Sequence, residues 1–226
     1  LSETGLSDQI SEEGCLSLYA DEAEFRADRE HIEILERFGF PHEVIGRQAI
    51  KALEPELSDR IGMAVHFPQN RSMKDPYRLV LALAERFVAL GGRIAREEVT
   101  GFSRSDAMRE VVLKDGRRLP ADEVVICAGA FSAKLAKDLG EPIPLETERG
   151  YHTQIMAPGI SMKHSIIWPA KAFMVTPTAG GIRVGGTVEM AGLDAPPDYR
   201  RAKVTVKRAK EALPALRCED FTEWMG

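Results

Sequence analysis

The sequence predicts a mixed α+β and α/β protein, in which a helix, hairpin and parallel-strand unit is embedded in a mainly antiparallel sheet flanked by helices. Three observations lead there. A long apolar stripe from Asp75 to Val88 ends at Gly91-Gly92 and has helical spacing. The unbroken apolar run Val124 to Cys127 enters a helix through the small residues Ala128-Gly129-Ala130, as a strand buried on both faces of a parallel sheet would. Beyond residue 150 the pattern changes to short alternating runs, Tyr151 to Met156, Ala172 to Thr176 and Ile182 to Val188, which read as strands.

In chain order, Asp21 to Phe38 places Ala23, Phe25, Ile32, Leu35 and Phe38 among many charges and meets Gly39 and Pro41, which predicts one amphipathic helix. Arg47 to Leu53 predicts a short helix cut off at Glu54-Pro55, because the residue before proline avoids helical torsions. Ile61 to Phe67 predicts a strand. Asp75 can accept from the free amides of a first turn, and Pro76 suits the first helical position, where a missing donor costs nothing. Val80, Leu83, Ala84, Phe87 and Val88 form the stripe of that helix, and the glycines that follow stop it. Ile94 to Val99 predicts a strand, and Glu110 to Leu113 with Arg117 to Leu119 a hairpin turning at Asp115-Gly116. After the run at Val124, a helix is expected over Ala130 to Leu139, capped by Gly140. Gly180-Gly181 is the expected turn between two late strands, and Tyr199 to Leu213 a closing helix stopped by Pro214. The expected division is 1–70, 71–145 and 146–226, the first and last parts forming one domain around the middle one.

Composition bounds the function. The 226 residues are 44% hydrophobic and 29% charged, the profile of a soluble globular protein with a substantial core. A formal charge of −5 opposes a polyanionic partner, so nucleic acid is not an expected ligand. The basic stretch Arg200 to Lys210 is interleaved with Val204, Val206 and Ala209 and reads as the solvated face of a helix. Cys15, Cys127 and Cys218 fit neither a disulfide framework nor a zinc site, which points to a reducing, cytoplasmic setting with no metal. No apolar run approaches the roughly 20 residues that span a bilayer, which leaves peripheral attachment to an inner membrane open. The chain opens on Leu1 and closes on Trp224-Met225-Gly226, the ends expected of an interior piece of a longer protein.

The order of these features is more specific than any one of them. An Asp-Pro-capped helix, a Gly-Gly stop, a strand ending at Glu98-Val99, a hairpin at Lys114 to Arg117, then ADEVVICAGAFS and GEPIPLETERGYHTQI resembles the D-amino-acid oxidase and D-amino-acid dehydrogenase family of FAD-dependent amine oxidoreductases, glycine and sarcosine oxidases included. The resemblance is close over Asp75 to Gln154 and looser over LEPEL (Leu53 to Leu57) and RVGGTVE (Arg183 to Glu189). It implies a partial FAD-binding, Rossmann-like unit with a β-hairpin insertion, and a substrate domain built on the antiparallel sheet. It also implies backbone contacts to the dinucleotide from Val99 and from Ala128, Gly129 and Ala130.

The reaction implied is hydride transfer from the α-carbon of a small amino acid to the flavin, which requires the protein to hold the α-carboxylate and orient that carbon. A guanidinium fork is the best carboxylate clamp, and Arg149 and Arg183 are the candidates. Arg183 alternates with Ile182 and Val184 and therefore projects from the opposite sheet face. Tyr151 and His152 follow a family-like Gly150, and Trp224 precedes the glycine that Gly226 would match, so all three are candidate pocket residues. Glu189 resembles the last residue of a Gly-Thr-x-Glu pattern, with a structural duty at a strand end. No catalytic residue is assigned. Other substrates of the same scaffold, a secondary amine, a hydroxy acid or glycerol phosphate, remain open, as does a non-catalytic ligand-binding or interaction domain.

Two family features are missing from these residues. No Gly-x-Gly-x-x-Gly spacing occurs, and with it goes the loop whose amides cradle the pyrophosphate. The Arg-Pro segment that the family places after the Gly226 position is also absent. The chain on its own is therefore expected to bind FAD weakly or not at all and to have no turnover.

Overall fold

The computed structural model describes residues 5–105 and 108–226, so Leu1 lies outside the described part. The chain forms two compact units. One holds the described residues up to Arg86 with Arg149–Val188 and Pro196–Gly226, and the other holds Phe87–Glu148 with Glu189–Ala195.

The first unit is built on an eight-stranded sheet. Its strands are β2 (Cys15–Tyr19), β3 (Glu43–Gly46), β4 (Met63–Phe67), β9 (Arg149–Ile155), β10 (Ser165–Trp168), β11 (Phe173–Thr178), β12 (Gly181–Glu189) and β13 (Phe221–Met225). They lie in the order β13-β9-β12-β11-β10-β2-β4-β3. A short pair, β1 (Ile10–Ser11) with β5 (Ser72–Met73), stands beside it in sequence. The pairings are antiparallel from β11 to β10 and from β2 to β4, whereas β10 and β2 run parallel, with Ser165 opposite Cys15. All five residues of β2 are buried, as a central strand covered on both faces must be.

Alternation sends Leu16 and Leu18 to one face, where Ile166, Trp168, Phe173, Val175, Ile182 and Val184 join Ala209 and Ala212 of helix α6 (Arg200–Ala212), Leu213 just after it, and Ile50 of α3 (Arg47–Leu53). Cys15 and Tyr19 point to the other face, against Ile32, Val65 and Phe67. Burial pushes the Cys15 thiol up to about 11, so it is a packing residue and not a nucleophile.

The predicted helix over Asp21 to Phe38 is two helices, α1 (Glu22–Ala27) and α2 (Arg29–Arg37). The Asp21 carboxylate caps α1 by accepting from the amides of Ala23 and Glu24. The break falls at Asp28, whose carboxylate accepts the Tyr19 hydroxyl at 2.7 Å, so a tertiary bond overrides helical periodicity. Helix α3 has its predicted bounds, and Glu54, before Pro55, has left the helical torsions, with ψ 86°.

Glu54 is a buried carboxylate held by three donors: the amides of Lys163 at 2.8 Å and His164 at 2.7 Å, and His164 Nδ1 at 2.8 Å. It ties the LEPEL turn to the start of β10. Trp168, 1% exposed, donates its indole N–H to Glu24 at 2.8 Å and lies edge-on to Phe173, so it belongs to the core.

Helix α4 (Pro76–Ala89) starts as predicted, with Asp75 accepting the Arg78 amide at 3.0 Å, and Gly91 follows at φ 93°. Its stripe is not covered: Val80, Leu83, Phe87 and Val88 are all half exposed or more.

The second unit carries the predicted hairpin as part of a three-stranded antiparallel sheet: β6 (Val99–Ser105), β7 (Met108–Leu113) and β8 (Arg118–Ala121). Gly116 makes the turn at φ 85°. The expected helix begins with a 3₁₀ turn, Gly129–Phe131, and continues as α5 (Ser132–Asp138), with Gly140 at φ 82° after it.

Two expected strands are corrected. Residues 94–98 and 124–128 pair with no strand among the described residues, and Val125 is 82% exposed. An apolar run becomes a strand only when a neighbour accepts its backbone bonds. Among the described residues only Glu98 has such a bond, its carbonyl accepting the Lys114 amide at 2.9 Å, and no strand forms beside either segment, so the apolar pattern survives without the element.

Candidate active site

The site is assembled on one face of the eight-stranded sheet. In β9 Arg149, Tyr151, Thr153 and Ile155 are buried, while Gly150, His152 and Gln154 occupy the other, less buried face. In β12 Ile182 and Val184 enter the core, which turns Arg183 to the face of His152. In β11 Phe173 and Val175 are buried, leaving Met174 and Thr176 on that same face. Thr176 stands opposite Arg183 and Met174 opposite Gly185, while on β13 Trp224 stands opposite His152.

These side chains line a cleft of about 290 Å³ that also takes in Val188 and Gly186. The Trp224 and His152 rings lie 5.0 Å apart at 34° and form one wall. Arg183 Nε donates to Gln154 Oε1 at 3.3 Å. Among the described residues no carboxylate is within ion-pair distance of this guanidinium. Burial, and then the Arg183 charge, lower the His152 pKa below the ordinary imidazole value, which makes the neutral ring its resting form.

The structure brings His152, Arg183 and Trp224 together and separates Arg149 from them. Arg149 is 4% exposed and donates from Nη2 to the Tyr151 hydroxyl and to the Pro196 carbonyl, each at 3.0 Å. The Tyr151 hydroxyl also accepts the Asp198 amide at 2.9 Å, and its ring lies edge-on to Tyr199. Both side chains point toward α6, so Tyr151 meets the cleft with its main chain, and Arg149 braces the opposite layer. The parity of β9 alone separates them from His152. Met174, Thr176, Val188 and Gly185 were not singled out in the sequence, although the alternation of Ala172 to Thr176 already set Met174 and Thr176 opposite to Phe173 and Val175.

The second unit holds a larger hollow of about 710 Å³, lined by Val99, Phe102, Val124 to Ala128, Phe131 and Lys134. Val99 and Ala128 line it, while Gly129 and Ala130 lie exposed outside the lining. The Ala128 amide donates to Ser132 Oγ at 3.1 Å, and Gly129, at φ 54°, has no atom within 4 Å of where a side chain would begin. A ligand can therefore approach this backbone closely. That geometry fits a main-chain contact to a dinucleotide; the glycine loop that would hold its phosphates is not in the sequence.

A mixed sheet with one open, cation-bearing face, interrupted in sequence by a unit with its own three-stranded sheet and helix, defines the class as a two-part α/β scaffold. Comparison with known proteins makes it specific. The family model for FAD dependent oxidoreductases matches residues 1–226. The chain is 31% identical over 214 residues to a D-amino-acid oxidase of Bradyrhizobium diazoefficiens, covering 95% of this chain and 51% of that protein. To a D-amino acid dehydrogenase of the same organism it is 30% identical over 199 residues, 84% of this chain and 47% of that one. Among solved structures, glycine oxidase from Bacillus cereus superposes with a TM-score of 0.82 at 22% identity, over 100% of this chain and 62% of that one. L-proline dehydrogenase from P. horikoshii gives 0.80 at 22%, with the same coverage. The chain belongs to the FAD-dependent oxidoreductase family. It spans about half the length of the curated relatives it matches.

Proposed function

We propose that the whole protein oxidises the CH–NH₂ group of a small amino acid, of the kind named in its D-amino-acid relatives, and that this chain contributes the substrate-facing sheet together with part of the cofactor unit. The observation that carries this reading is Arg183: a guanidinium with no carboxylate within ion-pair distance among the described residues, on an open sheet face beside a Trp224–His152 wall. A planar fork in that setting suits the α-carboxylate of an amino acid, binding it and setting the direction of the α-carbon. His152, neutral, lines the wall without competing for the anion. FAD, when bound, supplies the acceptor for the hydride that leaves the α-carbon. Val99 and the Ala128-Gly129-Ala130 turn are the residues of this chain that would hold the dinucleotide, through main chain. Because the phosphate-cradling glycines are absent, the 226-residue chain alone is expected to bind FAD weakly or not at all and to show no turnover.

The test is anaerobic flavin reduction by the full-length protein with D- and L-amino acids, sarcosine, lactate and glycerol 3-phosphate. Bleaching by D-amino acids is the expected result. Bleaching by lactate or glycerol 3-phosphate alone, or by none of the set, overturns the proposal. For the chain alone, a flavin absorption band near stoichiometry after purification would overturn the expectation of weak binding.

A further inference from the structure

The cleft is built for a particular kind of amino acid. Gly185 leaves a gap in the row of side chains on the open face: Met174 stands opposite it on β11, and on the β9 side an added Cβ would lie 3.5 Å from His152 Cβ and 3.4 Å from the Tyr151 carbonyl. Met174, 45% exposed, and Val188, 52% exposed, flank that gap with apolar surface. Trp224 and His152 close one side. Arg183 is the one charged residue in the lining, and it stands two positions along the same strand face from Gly185. The cleft, of about 290 Å³, lies at the small end of the roughly 300–1,000 Å³ usual for ligand sites.

We infer that Gly185 seats the side chain of a neutral, apolar amino acid of about leucine size, whose carboxylate is paired by Arg183. The inference rests on the amino-acid reading above. A second carboxylate on the side chain would find Arg183 already paired, an ammonium would find no anion in this lining, and burying either unpaired is costly. Glycine would leave the gap between Met174 and His152 unfilled and forgo the gain of about fourfold in affinity per buried methylene.

Unreactive carboxylates separate binding from turnover. Acetate, pentanoate, 4-methylpentanoate and glutarate are titrated calorimetrically into the full-length FAD-loaded protein, and into its Gly185→Val and Gly185→Ala variants. Gly185 has no left-handed φ, and a Cβ there would meet its neighbours at ordinary van der Waals distance, so the variants have no backbone clash to overcome. The expected result is 4-methylpentanoate binding at least tenfold more tightly than acetate and than glutarate, with the preference over acetate reduced to under threefold by Gly185→Val and to an intermediate value by Gly185→Ala. In turnover, kcat/KM for leucine falls at least tenfold in Gly185→Val while that for alanine changes less than threefold. Equal binding of all chain lengths, tighter binding of glutarate, or a preference that survives both substitutions overturns the inference. A chain-length preference in a protein that oxidises no amino acid overturns the reaction reading instead, so the two failures are distinguishable.

Discussion

Arg183 and His152 differ in kind, and the difference is measurable. Removing the guanidinium with Arg183→Met is expected to lower kcat/KM of the full-length protein for its amino acid by about two to three orders of magnitude, since a carboxylate loses its only cationic partner in the lining. Arg183→Lys restores part of this, because an ammonium keeps the charge and loses the fork. His152 acts through its resting state. Its folded pKa is depressed, so between that value and the ordinary imidazole range the unfolded chain holds more protons than the folded one, and stability rises with pH there. The contribution is fully present above the ordinary value and is lost as pH falls toward the depressed one. His152→Gln is expected to flatten the mildly acidic limb of a Tm-against-pH curve; an unchanged limb would show that the ring's burial does not affect folding. At Glu54 the demand is different: three donors converge on a carboxylate that is 1% exposed. Glu54→Ala strands them and is expected to cost about 3–5 kcal/mol in urea unfolding, with Glu54→Gln costing less.

Neighbouring glycines in β12 show what an element requires of its residues. Gly186 has φ 143°, and a Cβ there would sit 2.5 Å from Phe173 Cα, so Gly186→Ala must displace β11 and is expected to cost at least about 2 kcal/mol. Gly185→Ala, one position earlier, is expected to cost under about 1 kcal/mol, and chemical denaturation of the pair tests the contrast. Local chemistry was legible where one cap or one turn decides the outcome: Asp75-Pro76 opening α4, Gly116 turning the β7–β8 hairpin, Pro55 ending α3. It misled where the outcome depends on distant chain. Asp28 divides one amphipathic pattern into two helices because Tyr19 reaches it, and Val124 to Cys127 reads as a buried strand yet finds no neighbour among the described residues. At the site, the parity of β12 exposed Arg183 correctly, whereas treating Arg149 as its equal ignored that β9 places 149 and 152 on opposite faces. Strands β2, β10 and β13 were not read from the sequence, each being short and without a marked turn on both sides.

For the whole molecule, the division into two units predicts uneven protection. Amide exchange is expected to be slowest in β2, β10 and β11, which are paired on both sides within the first sheet, and fast over residues 94–98 and 124–128, which have no strand partner among the described residues. Uniform protection across both sets would contradict this picture. No helix among the described residues is long and apolar enough to cross a membrane.

The parallel pair β2–β10 sets a timetable as well as a topology. Ser165 lies opposite Cys15, a separation of 150 residues, so at roughly 5–20 residues per second a ribosome delivers the partner strand about 8–30 s after β2 has emerged. Throughout that interval a five-residue strand destined for complete burial lacks one of its neighbours, while the inserted unit is synthesised between the two. Completing the eight-stranded sheet is therefore a late event in the life of the nascent chain, and the apolar edge of β2 is where a chaperone would find the molecule least finished.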